Sequence, residues 1–534
     1  MKRREKILIN GIRLPIHVSE GEALKEARRR LRGVHLLSDG VSFSIYRRAT
    51  DARKRDAIRF VYTVLADGEF PAERLSSLPE QMSLLSDAMP TPLYGSEPLP
   101  ARPLVVGAGP AGLFAALLLA EHGYRPLVIE RGGSIEERKA AVSRFLSGGP
   151  LSTETNIQFG AGGAGTFSDG KLVTRVKDPF SGYVLDRFVS FGAPGEIKVL
   201  AKPHVGTDVL SRVVENMIRA IEAAGGEIRY HTRLTGIRMS GGRVVAAVTN
   251  EGEIPLGAMI LAIGHSARDT YRMLMRSGVS VEPKPYSVGM RIEHLQEDID
   301  RAMYGSLAAD ERLGHAEYNL AHNTKVRGVY TFCMCPGGEV VAATDTEGAV
   351  LTNGMSYHAR NGKNANSAVL CTVFKEDYGA TPEAAIASQE RIERAAFLAG
   401  GGDYYAPFIT VGDLLGKTEA SLPTRVLPTY MQGRVRPAHP DTYLPPFAVS
   451  GIKDALSAFG RQIKGFDSDS ALLTGAETRS SSPVRILRTE ERRALGIENL
   501  YPAGEGAGYA GGITSAAIDG VRCALSLMKQ YKPF

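Results

Sequence analysis

Gly107, Gly109 and Gly112 stand in GxGxxG spacing within 104-LVVGAGPAGLFAALLLAEHGYRPLVIER-131, after one apolar run and at the start of another. That spacing suits pyrophosphate recognition. The first glycine permits a tight turn, the second lets backbone approach the phosphates, and the third lets helix and strand pack closely. Pro110 and Ala111 fall in the same turn, where a helix N-terminus offers free N–H groups and partial positive charge. Glu130 ends the next strand with Arg131 beside it. A carboxylate there accepts hydrogen bonds from an adenosine ribose and repels a 2′-phosphate, which disfavours NADP in this pocket. A second candidate chemistry lies in YTFCMCPGG, where Cys333 and Cys335 project to one side of a strand because side chains alternate with period two. A thiol pair invites redox exchange, although a buried cysteine commonly serves only as a small apolar residue.

The segment 499-NLYPAGEGAGYAGGITSAAIDGVRCALSLM-528 reads as strand, glycine turn and long helix. It resembles the second flavin motif of proteins with the glutathione-reductase type of FAD fold. By that resemblance Gly504 and Glu505 approach the ribityl chain, with Glu505 where such proteins usually carry Asp. The N–H groups near Gly511, Gly512 and Ile513 then face the pyrimidine edge of the isoalloxazine. A helix N-terminus stabilises the negative charge of a reduced flavin. AIGHSA, 262–267, with Gly264 at its turn, resembles the crossing of these chains near the cofactor. In the loop 160–170, Gly163 and Gly165 let backbone pass close to a flat ring, and Ser168, Asp169 and Lys171 are polar groups it presents.

Seven segments together resemble the bacterial FAD-dependent dehydrogenases labelled NAD(FAD)-utilizing: NIQFGAGGAGTFSDGKL, PHVGTD, VGMRIEH, GVYTFCMCPGGEVV, NGMSYHAR, ETRSSSPVRILR and PAGEGAGYAGGI. Ala161 stands where that pattern has Glu. The resemblance implies FAD and hydride transfer at its N5 with a small molecule, and it names no substrate. NAD(P)H is a candidate transient donor, visiting a groove beside the flavin because only one dinucleotide fingerprint is present. Tyr357, His358 and Arg360 are candidates for an anionic substrate, and Glu477 and Arg479 for reaching the flavin.

The elements that must position these groups follow from periodicity. At 534 residues, more than one core is expected. The expected fold class is α/β: a Rossmann-type FAD-binding domain with an inserted, mainly β substrate domain and a small N-terminal α+β domain. The boundaries read as a basic unit at 1–67, a proline-rich linker at 68–100 with one short helix near 80–88, and the cofactor domain at 101–282 and 447–534. The inserted domain reads as 283–446. In the first unit Leu24, Ala27 and Leu31 share a helical face, while Val41, Phe43 and Ile45, then Ile58, Phe60, Tyr62 and Val64, alternate inward. Residues 207–223 form an amphipathic helix with Val209, Leu210, Val213, Val214, Met217, Ile218 and Ile221 inward.

Residues 1–66 carry 16 Lys and Arg against 7 Asp and Glu in a chain of formal net charge +6. An alternative reading therefore makes this unit an RNA-docking module through ARRRLR (27–32) and RRATDARKR (47–55). The run 104–120 is nearly long enough to cross a bilayer, but its glycines fit a buried strand, turn and helix, so no membrane association is expected. Four cysteines without paired CxxC spacing argue against a zinc site and fit a reducing cytoplasm.

Overall fold

The computed structural model describes residues 2–173, 178–324, 327–420 and 422–534. Its first unit is a four-stranded antiparallel sheet in the order Ser42–Asp51, Arg59–Pro71, Lys2–Pro15, Met82–Leu84. The helix Glu20–Gly33 lies on it through Ala23, Ala27 and Leu31, with Leu24 at the margin. Phe60, Tyr62 and Val64 are buried as period two requires, whereas Phe43 and Ile45 are only partly covered. Several of the basic residues are paired within the unit: Arg29 and Arg30 with Glu26, Arg53 with Asp51, and Arg48 with Glu20.

The stretch read as linker differs from expectation. No helix forms at 80–88; Met82–Leu84 is a strand that pairs with Ile7–Ile9, and a short helix stands instead at Ala72–Leu75. The edge of Lys2–Pro15 has free backbone groups, which Gln81 and Leu85 help to satisfy, and Met82 is buried in the core beneath.

The cofactor half is a five-stranded parallel sheet ordered Leu500–Pro502, Met259–Leu261, Leu104–Val106, Leu127–Ile129, Glu227–Arg229. The helix Thr207–Ala223 buries all seven of the apolar residues expected of it. The apolar run after Leu104 divides into a buried strand and the buried helix Pro110–Glu121. Among the described residues no helix is long and apolar enough to cross a membrane. The helix Ile513–Gln530 packs against Pro110–Glu121 so closely that a Cβ on Gly520 would stand 2.0 Å from the Ala111 carbonyl oxygen.

The inserted half is built on seven strands ordered Ala321–Asn323, Gly328–Cys335, Asn364–Val373, Tyr286–Leu295, Leu472–Glu477, Ala406–Thr410, Val435–Pro437. The helix Pro446–Gln462 covers one face of it. Leu472–Glu477 pairs on both sides within this sheet, so the insertion does not end at Pro446. The chain enters and leaves it as an antiparallel pair, Val281–Pro283 against Val484–Ile486. A strand shared by two inner neighbours cannot belong to the other half, and this moves the second crossing to 484–486.

Candidate functional site

Between the two halves lies a cavity of about 1050 Å³, just above the roughly 300–1,000 Å³ usual for small-ligand pockets. One wall is made by loops at the carboxyl ends of the parallel strands: Gly107 to Ala111, Glu130 and Arg131, Gly160 to Ser168, Gly264 and His265, and Glu505 with Gly511 to Ile513. This is where doubly wound sheets hold ligands. The opposite wall comes from the inserted sheet: Tyr330 to Met334, Asn353 and Glu477.

The loops are built for close approach. Gly107 has φ +100, and a Cβ on it would come within 2.4 Å of the Ala262 carbonyl oxygen. Gly109 caps the helix that begins with Pro110, so the first turn points its N–H groups toward the cavity. Gly163 crosses directly above, since a Cβ there would reach within 3.0 Å of the Gly109 Cα. The Glu130 carboxylate accepts N–H bonds from Ala108 (2.9 Å), Gly132 (2.9 Å) and Gly160 (3.0 Å), holding both glycine loops in place. A carboxylate has about four acceptor positions, so one remains for a ribose hydroxyl. Arg131 lies over the Phe159 ring, 4.1 Å from its centroid, and its charge is taken up by Glu154 and Asp269.

Two assigned glycines do not line the cavity. The absent Cβ of Gly112 would fall 1.9 Å from the Gly107 carbonyl oxygen, which makes it a packing position. Gly504 donates to Asp519 (2.8 Å) at φ +76 and sets the turn behind the site. Ser168 bonds within its own loop, donating to Gly165 and accepting from Gly170. The Gly511 N–H donates to the Ser515 hydroxyl (3.1 Å) and that of Gly512 to the Glu505 carboxyl, so these two face protein partners. The turn starting at Ile513 is what opens on the cavity. Tyr271 ties the pieces together, its hydroxyl donating to the carbonyls of Gly506 (2.7 Å) and Gly264 (3.1 Å).

Burial pushes the Glu505 carboxyl up to about 7, against the Gly512 N–H and the Lys284 charge, which lower it. His265 stands 3.7 Å away, and burial pushes its imidazole down to about 4, so it is neutral near pH 7. Because the folded protein holds the Glu505 proton more tightly than the unfolded chain does, the site contributes a stability that is lost as pH rises from about 4.5 through about 7. Glu505→Gln is expected to unfold at a pH-independent offset above 7 and to gain on wild type between pH 5 and 7. Thermal melts across that range check it, and parallel curves for the two proteins would contradict it.

On the opposite wall the period-two expectation for the two cysteines fails. The strand Gly328–Cys335 has a bulge after Phe332, and Cys333 takes φ +46. Cys333 is half-buried on the cavity wall, while Cys335 is fully buried behind it. The inserted extra residue breaks the alternation. Tyr357, His358 and Arg360 do not line the cavity: His358 stacks on His204, and Arg360 is held by Asp169 and Glu317. Glu477 and Arg479 do line it, but Glu477 pairs with Arg291, and Arg479 with Asp345 and Glu393. Composition did not reveal Arg138. It is fully buried and donates to the carbonyls of Asn156 (2.8 Å), Ile157 (2.7 Å) and Ala161 (2.7 Å), fixing the loop that Glu130 also holds. Its spacing on a helix reads as an ordinary solvated charge.

The glycine cradle, the ribose-competent acid and the facing helix N-termini are the donor set an FAD molecule requires, so the residues present fit that cofactor. A model of FAD-dependent proteins, C-terminal domain-like, matches residues 285–480, and one of NAD(P)-binding Rossmann-like domains matches 105–138. An uncharacterized protein of Clostridium beijerinckii is 43% identical over 492 residues, spanning 91% of this chain and 92% of its own. Among solved structures, an L-amino acid deaminase from Proteus vulgaris is 10% identical with a TM-score of 0.36, covering 83% of this chain and 94% of its own. Glycine oxidase from Bacillus cereus is 10% identical with a TM-score of 0.34, covering 81% and 98%. The chain belongs to the family of the Clostridium beijerinckii protein, a family of FAD-dependent proteins, and FAD is its cofactor.

Proposed function

We propose that this FAD-dependent oxidoreductase transfers a hydride between the flavin and a small molecule held against the inserted sheet, with a reduced nicotinamide as donor. The supporting observation is the two-walled cavity, in which cofactor loops and the residues Tyr330 to Met334, Asn353 and Glu477 face one another. Bound FAD supplies a hydride acceptor and donor at its N5. The protein's part is to orient the reactants, exclude water and hold protons. Asn353 is itself oriented by Arg291, which donates to its side-chain oxygen at 2.9 Å. Glu505, with its raised affinity for a proton, is placed to exchange one within the cavity near neutral pH.

The kinship we infer is to dehydrogenases of the glutathione-reductase type of FAD fold, on the strand Leu500–Pro502, the glycine turn and the helix Ile513–Gln530. Among the described residues there is one wholly parallel sheet, so the nicotinamide enters the same cavity as the substrate. Rapid anaerobic mixing with NADH and with NADPH is expected to bleach the oxidised flavin absorbance. A spectrum unchanged by both removes the nicotinamide from the proposal.

A further inference from the structure

We propose that Cys333 and Cys335 form a dithiol–disulfide couple in the wall of the flavin cavity, carrying an electron pair from reduced flavin to a small disulfide substrate. This deepens the reading above by naming the acceptor class. It rests on that reading for the source of electrons only.

Four observations carry it. The strand Gly328–Cys335 pairs with Asn364–Val373 as Phe332↔Ala368 and then Cys335↔Asn366, so Cys333 and Met334 together oppose one residue. In a flat strand, residues two apart have Cα atoms roughly 6.6 Å apart, within the ~4.4–6.8 Å range for disulfides. The Cys335 thiol donates to the Cys333 backbone carbonyl at 3.3 Å, which sets its sulfur beside the kink. The kink is clamped by cations: Arg291 Nη1 donates to the Cys333 carbonyl at 2.9 Å, and Lys171 Nζ donates to the Met334 carbonyl.

The same groups prepare the sulfur for attack. The neighbouring Cys335 thiol, then the Arg291 and Lys171 charges, hold the Cys333 thiol below its ordinary range despite burial, while Cys335 is held above. A thiolate that meets the cavity and a protonated partner behind it are the two roles that exchange requires. Cys333 and Glu505 line the same cavity from its two facing walls.

The step balances. The Cys333 thiolate attacks one sulfur of R–S–S–R′, the S–S bond breaks, and R′–S⁻ leaves, taking the Cys335 proton. The Cys335 thiolate then attacks the Cys333 sulfur of the mixed disulfide and expels R–S⁻. The protein pair has lost two electrons and the substrate has gained them. One hydride equivalent from bound reduced FAD would reduce the Cys333–Cys335 disulfide back to one thiolate and one thiol. A reduced nicotinamide supplies that hydride.

Cys371 and Cys523 are buried free thiols elsewhere and serve as internal standards. The holoprotein, oxidised with diamide, is denatured and alkylated, and its intact mass is compared with that of protein first reduced with dithiothreitol. Two labels on the oxidised form and four on the reduced form are expected from the four cysteines of the chain. Reduced Cys335→Ser, treated with the aromatic disulfide dithiobis-nitrobenzoate, is expected to retain one nitrothiobenzoate on Cys333, where wild type releases both equivalents and retains none. Four labels on the oxidised wild type, or no retained adduct on folded Cys335→Ser, overturns the proposal. Neither measurement uses a nicotinamide, so flavin that fails to bleach with NADH or NADPH defeats the earlier reading while these counts stand.

Discussion

Glu393→Ala is expected to lower the unfolding free energy by about 3–5 kcal/mol, the usual cost of removing one member of a buried ion pair. The Glu393 carboxylate is fully buried and accepts from Arg268 (2.7 Å to each oxygen), from Arg479 (3.1 and 2.9 Å) and from the Thr478 hydroxyl. Without it, Arg268 keeps only Gln389 (3.2 Å), and two guanidiniums that faced one carboxylate are left close together in a dry interior. The damage is also architectural. Arg268 starts a helix of the cofactor half, whereas Glu393 sits on the helix Pro382–Ala399 of the inserted half, so the variant loses a tie across the cavity. Burial raises the Glu393 carboxyl, but Arg268 and Arg479 outweigh it and hold the group well below the usual carboxylate range. Its contribution is therefore complete above pH 4.5 and fades as pH falls further, so the denaturation midpoints of wild type and variant should converge in acid. A midpoint difference under about 1 kcal/mol at pH 7 would show that the pair does not carry this weight.

Gly163→Val is expected to yield a folded protein that binds FAD on the order of 100-fold more weakly, a loss of about 2.7 kcal/mol. The residue has φ +63, where a β-branched side chain is strained by roughly 1–3 kcal/mol. Its Cβ would also press to 3.0 Å from the Gly109 Cα and 3.6 Å from Pro110 Cδ, at the mouth of the dinucleotide helix. The fold should survive because Arg138 and Glu130 still secure 156–161 from behind. Circular dichroism and an FAD binding titration separate the two effects. A variant that purifies with stoichiometric flavin would contradict the placement of this loop over the phosphates.

Both halves of the cofactor wall were readable because each is a contiguous run whose glycines have local steric reasons. Gly107 to Gly112 and Gly504 to Ile513 needed no knowledge of distant pairing. The inserted wall was not readable. Its strands follow an order in which Tyr286–Leu295 sits between Asn364–Val373 and Leu472–Glu477, and no local pattern encodes that adjacency. For the same reason Leu472–Glu477 was assigned to the wrong half. At Cys333 alternation misled, because a non-glycine residue with positive φ leaves no mark in composition. Arg138 escaped because a buried arginine that donates only to carbonyls looks, in a helical pattern, like any exposed one. In the stretch 80–88 weak local preference gave way to the demand of an unpaired sheet edge, which only the folded neighbour creates.

The cofactor sheet takes its central strand from Leu104–Val106 and its edge strand from Leu500–Pro502, and the helix Ile513–Gln530 closes on Pro110–Glu121 through Gly520. During synthesis the ribosome must add nearly four hundred residues between those partners. The inserted sheet can therefore mature on the nascent chain while the dinucleotide helix still waits for its companion. Flavin capture is a late event in the life of each molecule, and its failure should leave an intermediate with a finished insertion and an exposed apolar helix for chaperones to hold.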